Sequence, residues 1–259
     1  MNDSSDRWRE MITERMGSHE ASLHVRTPLR RLRGQAGAVL VECSDGLQYV
    51  VKGRQNRRAL VADQVVGLLA RVVEAPVPEV RLVDVPSALI VQGSFLETFE
   101  SGVGHGSRFL PRCIDSWDIR YPDDLGNAER FAALAVLYGW ADPEDRQFLY
   151  SVDNPHLVHS VDHGSFFCGS SDWTEETLAT APPAVLDQLV VTGALVKPHL
   201  LMEVLDRLQM AKDDVIAQVV STPPSEWGIS LDERVALAQY LSRRRDQLLA
   251  LRAGFQGSS

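Results

Sequence analysis

Residues 139–167 read GWADPEDRQFLYSVDNPHLVHSVDHGSFF and place carboxylates at both ends of a short apolar hairpin. Asp142, Glu144 and Asp145 precede the run QFLYS, and Asp162 directly follows LVHSV. Burying a charge is costly unless it is paired, so acidic residues at both ends of a buried hairpin need an explanation. Either they lie in solvated turns, or they meet around a metal and a phosphate.

The composition limits the class of protein. With 44% hydrophobic and 24% charged residues, the 259-residue chain is ordinary for a globular protein. A formal net charge of −9 argues against a nucleic-acid partner bound by broad phosphate neutralisation. The three cysteines form no CxxC pair, and we find neither a secretory signal nor an apolar run of membrane-spanning length. We therefore expect a cytoplasmic protein that has no membrane partner.

The first part of the chain has the pattern of a small β-rich unit. Residues 1–20 are polar and have the pattern of a helix or a frayed end. The alternating runs SLHVRTPLRRLRG, GAVLVEC and LQYVVKG follow, the last two joined by a Ser-Asp-Gly turn. NRRALVADQVVGLLARVVEA has helical spacing and ends before Pro76 and Pro78. VRLVDV and SALIVQG are then predicted as two further strands.

The second part has mostly helical patterns. Gly102, Gly104 and Gly106 are predicted to form a loop at the boundary, and AERFAALAVLYGW is an apolar helix. Nearly every segment beyond residue 173 carries a helical apolar stripe. We predict an α+β protein in two lobes. The expected units are an N-terminal extension (1–22), a small antiparallel β-rich lobe with one helix (23–100) and a larger helical lobe (101–259).

Two such lobes are the layout in which a nucleotide binds between them. Phosphoryl transfer in such a site requires a few positioned charged residues and a metal ion. Lys52 ends the third predicted strand and resembles the VAIK lysine of protein kinases. An ammonium is a compact donor that suits phosphate oxygens. Asp63 lies among apolar residues of the following helix. It either faces solvent or pairs with Lys52.

The tripeptide Asp-His-Gly after LVHSV is the strongest single signal. It resembles the end of the DFG magnesium loop of kinases, and Asp162 would offer Mg²⁺ a hard carboxylate oxygen. The tripeptide alone is common by chance. Its place after a strand, downstream of an acidic loop and of Lys52, makes it informative.

Two registers compete for the catalytic loop. Asp142 precedes Gln147 by five positions, as in the kinase pattern D-x-x-x-x-N with Gln in place of Asn. Asp145 begins a DR dipeptide, but the position five residues later is Tyr150. We favour Asp145, with Asp142 as the alternative. Gln147 is the candidate amide ligand of the metal in both registers.

Gly34 and Gly37 lie in GQAG, between the first two predicted strands, where a loop would cover phosphates. Two glycines at this spacing also suit a plain tight turn. If the two-lobe prediction holds, backbone N–H groups of this loop would approach the phosphates.

The chain resembles the HipA-like kinase domain over roughly residues 23–250. The matching segments are YVVKG, NRRALVADQVVGLLARVVEAPVPEV, GHGSRF, DRQFLYS, VHSVDHGSFFCGSSDW and PPSEWGISLDERVALAQYLSRRRDQL. The resemblance implies a two-lobed protein-kinase-like fold that binds ATP and Mg²⁺. The three departures are Asp63 where Glu is usual, Gln147 for the expected Asn, and a short loop after DR.

Three functions are compared. The first is an ATP- and Mg²⁺-dependent phosphotransferase that moves the γ-phosphate to a hydroxyl of a protein Ser/Thr or a small molecule. The alternative is a nucleotide-binding pseudokinase that acts as a regulatory or scaffold module, which the three departures support. A helical binding protein with an accidental Asp-His-Gly is the third, and it predicts no nucleotide affinity. Asp162→Asn would abolish turnover in the enzyme and spare a scaffold.

Overall fold

The structure is a computed structural model that describes residues 3–17, 21–32, 37–168 and 171–256. The strands are β1 (Leu23–Arg31), β2 (Val39–Cys43), β3 (Gln48–Lys52), β4 (Val80–Val85), β5 (Gly102–Arg108), β6 (Cys113–Ser116), β7 (Gln147–Ser151) and β8 (Val158–Val161). The helices are α1 (Asp3–Arg15), α2 (Arg58–Val72), α3 (Asn127–Ala141), α4 (Glu175–Thr180), α5 (Gln188–Gly193), α6 (Pro198–Leu208), α7 (Asp213–Ser221), α8 (Leu231–Ala250) and α9 (Arg252–Gln256). Single 3-10 turns cover Arg54–Asn56, Ser87–Leu89 and Ser225–Trp227.

Five strands close into a barrel in the order β1-β2-β3-β5-β4. The neighbours pair antiparallel except β1 and β4, which pair in parallel through Leu23↔Val83 and His24↔Asp84. The prediction of an antiparallel small lobe is therefore wrong at the closing pair. Alternating apolar residues such as Val41, Val51 and Val83 fill the interior, because side chains of a strand point to opposite faces in turn.

The sequence misplaced the last barrel strand. Residues 102–108, predicted as a loop, form β5, whereas residues 87–93, predicted as a strand, form a 3-10 turn, a short irregular stretch and a second turn. A Cβ on Gly104 would lie 2.6 Å from the Lys52 carbonyl oxygen, and a Cβ on Gly106 would lie 2.6 Å from Val83 Cγ2. The glycines permit close packing inside the barrel. Because β5 pairs with both β3 and β4, it takes the place that residues 87–93 were expected to fill.

The barrel also continues past residue 100, where the lobe boundary was predicted, because β5 belongs to it. The division of the chain into domains stays a prediction. The N-terminal extension is not merely polar. Within it, α1 buries Trp8 and Ile12 in the main core and packs against α7 and α8.

Helix α2 shares the large helical core rather than the barrel interior. Its Leu60, Val65 and Leu69 belong to the same apolar cluster as Phe131 and Leu134 of α3. A second sheet, in the order β6-β7-β8, contains the hairpin predicted from QFLYS and LVHSV, which is confirmed. Across the residues that the structure describes, no helix combines the length and apolar character needed to cross a membrane.

Candidate functional site

A cavity of about 580 Å³ lies between the barrel and the β6-β7-β8 sheet. This volume is within the usual range for small-molecule sites. Val50 and Val80 contribute apolar surface from the barrel, and Leu149 and Val161 contribute it from the second sheet. The charged and polar lining includes Lys52, Asp63, His105, Gln147, Asp162 and His163. The cavity therefore brings together the lysine and the Asp-His-Gly segment that the sequence singled out.

Lys52 lies at the end of β3 with only 7% of its surface exposed. Its Nζ donates to Asp63 Oδ2 and to Asp162 Oδ1, at 2.7 Å in each case. Burial alone would lower the pKa of Lys52, but the two carboxylates outweigh it and raise the pKa above its ordinary value. Lys52 is therefore a charged ammonium that links the barrel to α2 and to the segment after β8.

Asp63 is almost fully buried on α2, so the sequence alternative of a solvated face is wrong. Its Oδ1 accepts a hydrogen bond from the His163 backbone N–H at 2.8 Å, while Oδ2 accepts from Lys52. Burial would raise the pKa of Asp63, but the Lys52 ammonium beside it and His105 together lower that pKa. The carboxylate is thus ionised and paired.

Asp162 and Gln147, whose side chains carry oxygen atoms, both line the cavity. Gln147 pairs with Val161 in the β7/β8 register, so it lies beside Asp162 along the sheet. The Asp162 backbone is left-handed (φ 60°), and its side chain is 53% exposed. These oxygens suit Mg²⁺, which takes one or two protein ligands together with phosphates and water. Within the described parts of the chain, no three His, Cys, Asp or Glu side chains converge as an all-protein metal site.

The two candidate catalytic carboxylates have different surroundings. The Asp145 carboxylate accepts a hydrogen bond from Ser165 Oγ, just after the Asp-His-Gly segment. Asp142 lies at the C-terminus of α3, with its carboxylate 3.5 Å from Nη1 of the buried Arg244. Arg244 also donates to the Gly139 carbonyl oxygen at 2.8 Å. Asp145 thus lies against the segment that holds Asp162, whereas Asp142 is tied to α8.

The structure describes only one of the two glycines of GQAG. Gly34 lies outside the described residues. Gly37 has a left-handed backbone (φ 60°), which favours glycine. The next residue, Ala38, lines the cavity. The phosphate-covering role of this loop stays a prediction.

Two buried histidines lie in the site, and the sequence had favoured a structural or solvent-facing place for both over a metal site. His105 on β5 pairs with Lys52 in register, and its Nδ1 lies 2.9 Å from Gln64 Oε1. His163 Nε2 lies 2.8 Å from Ser160 Oγ. Burial lowers the pKa of each histidine to about 4, so both rings are neutral near pH 7. The glycines around His105 masked its strand, which removed the signal that would have placed it opposite Lys52.

A likeness to solved structures supports the same fold. The proinflammatory kinase CtkA of Helicobacter pylori superposes with a TM-score of 0.55 at 10% identity, over 92% of this chain and 97% of that one. Identity this low shows a shared kinase-like fold alone. The Golgi casein kinase gives TM-scores of 0.44, and 0.43 with Mn/ADP bound, each at 12% identity over 96% of this chain and 81% of that one. Those two scores are too low to support a conclusion.

The comparison with protein families identifies the family of this chain. No curated protein matches the sequence. The HipA-like kinase family, however, matches residues 27–168, which is more than half of the chain and includes every element of the cavity described above. The resemblance drawn from the sequence is confirmed: the chain belongs to the HipA-like kinase family.

Proposed function

We propose that this protein is a phosphotransferase that uses ATP with Mg²⁺ and transfers the γ-phosphate to a hydroxyl group. The observation that carries the proposal is the contact of Lys52 Nζ with Asp63 and Asp162, at 2.7 Å each, on the wall of the 580 Å³ cavity. Phosphoryl transfer relies on positioned charge rather than covalent help from the protein. A buried ammonium beside an exposed carboxylate supplies such charge.

Nucleotide binding follows from the cavity walls. Val50 on the barrel side and Leu149 and Val161 on the sheet side offer apolar surfaces for a flat base. Lys52 would donate to phosphate oxygens, and Asp63 would keep its ammonium in place. Asp162 and Gln147 would hold Mg²⁺, which when bound neutralises charge on the phosphates.

Asp145 is our candidate for the group that receives the acceptor's proton. In the transfer, the acceptor oxygen forms a bond to the γ-phosphorus and the bond from that phosphorus to the departing ADP oxygen breaks. The hydroxyl proton would pass to the Asp145 carboxylate. Ser165 Oγ donates a hydrogen bond to this carboxylate, which holds it beside the segment that contains Asp162. The acceptor is a protein Ser/Thr or a small hydroxylated molecule.

Two of the three departures from the family pattern leave a polar group in the site, which favours the enzyme over the pseudokinase. Asp63 reaches Lys52 despite being shorter than Glu. Gln147 faces the cavity beside Asp162 as the expected Asn would. Neither departure therefore removes a polar group from the site.

The test is ADP release from ATP and Mg²⁺, with binding measured in parallel, for a matched pair of variants. Asp145→Asn should retain nucleotide binding and lose about 100-fold or more of the turnover, because proton transfer contributes that much in related chemistry. Asp142→Asn removes only the charge beside Arg244, which keeps its other partners, and should keep near-normal turnover. Binding without turnover in the wild type would favour the pseudokinase. Equal losses in the two variants would overturn the assignment of Asp145.

A further inference from the structure

Asp63 has two partners on different parts of the site. Oδ2 accepts from Lys52 Nζ at 2.7 Å, and Oδ1 accepts from the His163 backbone N–H at 2.8 Å. We call residues 162–164 the DHG loop. One short side chain therefore joins the barrel lysine, helix α2 and the DHG loop.

The DHG loop lies unusually close to the first turns of α2. A Cβ added to Gly164 would lie 3.2 Å from Ala59 Cβ and 3.6 Å from Asp63 Oδ2. The first distance is tighter than ordinary van der Waals contact, so a side chain at residue 164 requires the loop or the helix to shift by a few tenths of an ångström. The small residues at positions 59 and 164 thus allow the approach that an aspartate requires.

Helix α2 is anchored and is not free to retreat from the loop. Arg58 donates to the Trp173 carbonyl oxygen at 3.1 Å and pairs with Glu233 of α8. The apolar residues of α2, among them Leu60 and Val65, lie in the large core.

The DHG loop is anchored as well. His163 Nε2 lies 2.8 Å from Ser160 Oγ, and Tyr138 of α3 donates to the same oxygen at 2.6 Å. Gly164 also packs against α2 through Ala59. With both sides held, the gap between helix and loop is fixed to the length of an aspartate side chain.

We propose that Asp63 is a positioning residue whose length is matched to Ala59 and Gly164, so that glutamate cannot replace it in this chain. The consequence of this inference rests on the proposed function. The contacts of Asp63 with Lys52 and with the DHG loop hold Lys52 and Asp162 in place for phosphate and metal before nucleotide binds. Aspartate at position 63, where glutamate is usual, is therefore matched by the small residues Ala59 and Gly164 and does not indicate a defective site. A larger residue at position 164 has the same effect as a longer one at position 63.

The experiment compares Asp63→Glu, Gly164→Ala and the double variant Ala59→Gly/Gly164→Ala. Gly17→Ala is the matched control, because a Cβ there meets nothing within 4 Å. Hydrogen exchange of the peptide covering residues 158–168 is measured in the ligand-free protein, and affinity for ATP is measured with and without Mg²⁺. Urea unfolding of each variant shows that it is folded. Ala59→Gly alone reports the effect of that substitution.

We expect Asp63→Glu and Gly164→Ala to speed exchange at the His163 amide and to weaken Mg²⁺-dependent ATP affinity about tenfold or more. The double variant should return both quantities to within about threefold of the wild type, because the crowding partner of the new methyl group is gone. A loss of stability in Gly164→Ala with unchanged exchange and unchanged ATP affinity would overturn the inference. Unchanged exchange and affinity in Asp63→Glu would overturn the inference. If exchange changes as expected in the variants but the wild type does not bind ATP, the positioning contact is upheld and the proposed function is rejected.

Discussion

Replacing Lys52 with methionine would leave the Asp63 carboxylate buried without a cation. Its remaining bond is to the His163 N–H, whereas Asp162, with 53% of its side chain exposed, is free to hydrate. Removing one partner of a buried ion pair costs about 3–5 kcal/mol of unfolding free energy. The destabilisation cannot exceed the cost of protonating Asp63, because a neutral carboxyl no longer needs the cation, and that cost lies in the same range. From an ordinary pKa of 3.8, neutralising the carboxyl at pH 7 costs about 4 kcal/mol.

The pH dependence of this cost has a definite sign. In the wild type the pKa of Asp63 is below its ordinary value, so its contribution is present above that ordinary pKa and is lost as the pH falls through the folded-state pKa. In Lys52→Met, burial is left to raise the pKa of Asp63, so the variant gains relative stability as the pH falls. At pH 5 the protonation ceiling is about 2 kcal/mol. The gap between wild type and variant should therefore narrow by up to about 3 kcal/mol between pH 7 and pH 5.

Urea unfolding followed by tryptophan fluorescence measures the gap, because Trp140, Trp173 and Trp227 are buried. The double variant Lys52→Met/Asp63→Asn removes the stranded charge and retains an oxygen for the His163 N–H. It should recover most of the lost stability. Lys197→Met, at an exposed site, controls for the loss of a lysine. A single variant within about 1 kcal/mol of the wild type at pH 7, or a gap that does not narrow at pH 5, would refute the reasoning.

Two further predictions concern residues around the site. The pKa of His105 and of His163 is lowered from 6.5 to about 4, so the stability that each neutral ring contributes is present above pH 6.5 and is lost as the pH falls toward 4. The wild type should lose urea resistance steeply over that window, and a His105→Gln/His163→Gln variant with the same slope would contradict this. Asp187 accepts from Arg146 Nε at 2.8 Å and caps α5 through the Val190 N–H at 2.9 Å. Asp187→Ala should cost about 2–4 kcal/mol in urea unfolding and Asp187→Asn less, since it keeps a capping oxygen; equal costs would contradict the capping contribution.

The features that the sequence predicted correctly are those that depend on local patterns and on the order of motifs along the chain. Lys52 at a strand end, Asp63 on the next helix and Asp162 after a hairpin stand in the order that a two-lobed site requires, and they meet within hydrogen-bonding distance. Val50 and Lys52, two residues apart on β3, both line the cavity, as strand alternation requires.

The unpredictable parts depended on tertiary contacts or on missing side chains. β5 escaped detection because glycines at positions 102, 104 and 106 leave no alternating pattern, and at positions 104 and 106 a Cβ would clash with neighbouring strands. The choice between Asp142 and Asp145 was open in the sequence, since it depends on Arg244, about a hundred residues downstream, and on Ser165. Similarly, Trp8 and Ile12 gave no sign that α1 packs on the far end of the chain.

Thermal unfolding with ATP, in the presence and absence of Mg²⁺, tests the central claim most directly. A ligand that binds only the folded state raises the midpoint, by about 5–10 °C at a concentration near 100 times Kd. We predict a Mg²⁺-dependent rise in the wild type and in Lys197→Ala that is lost or strongly reduced in Lys52→Ala and Asp162→Asn. No rise at millimolar ATP, or an equal rise in all four proteins, would contradict a nucleotide site built on Lys52 and Asp162.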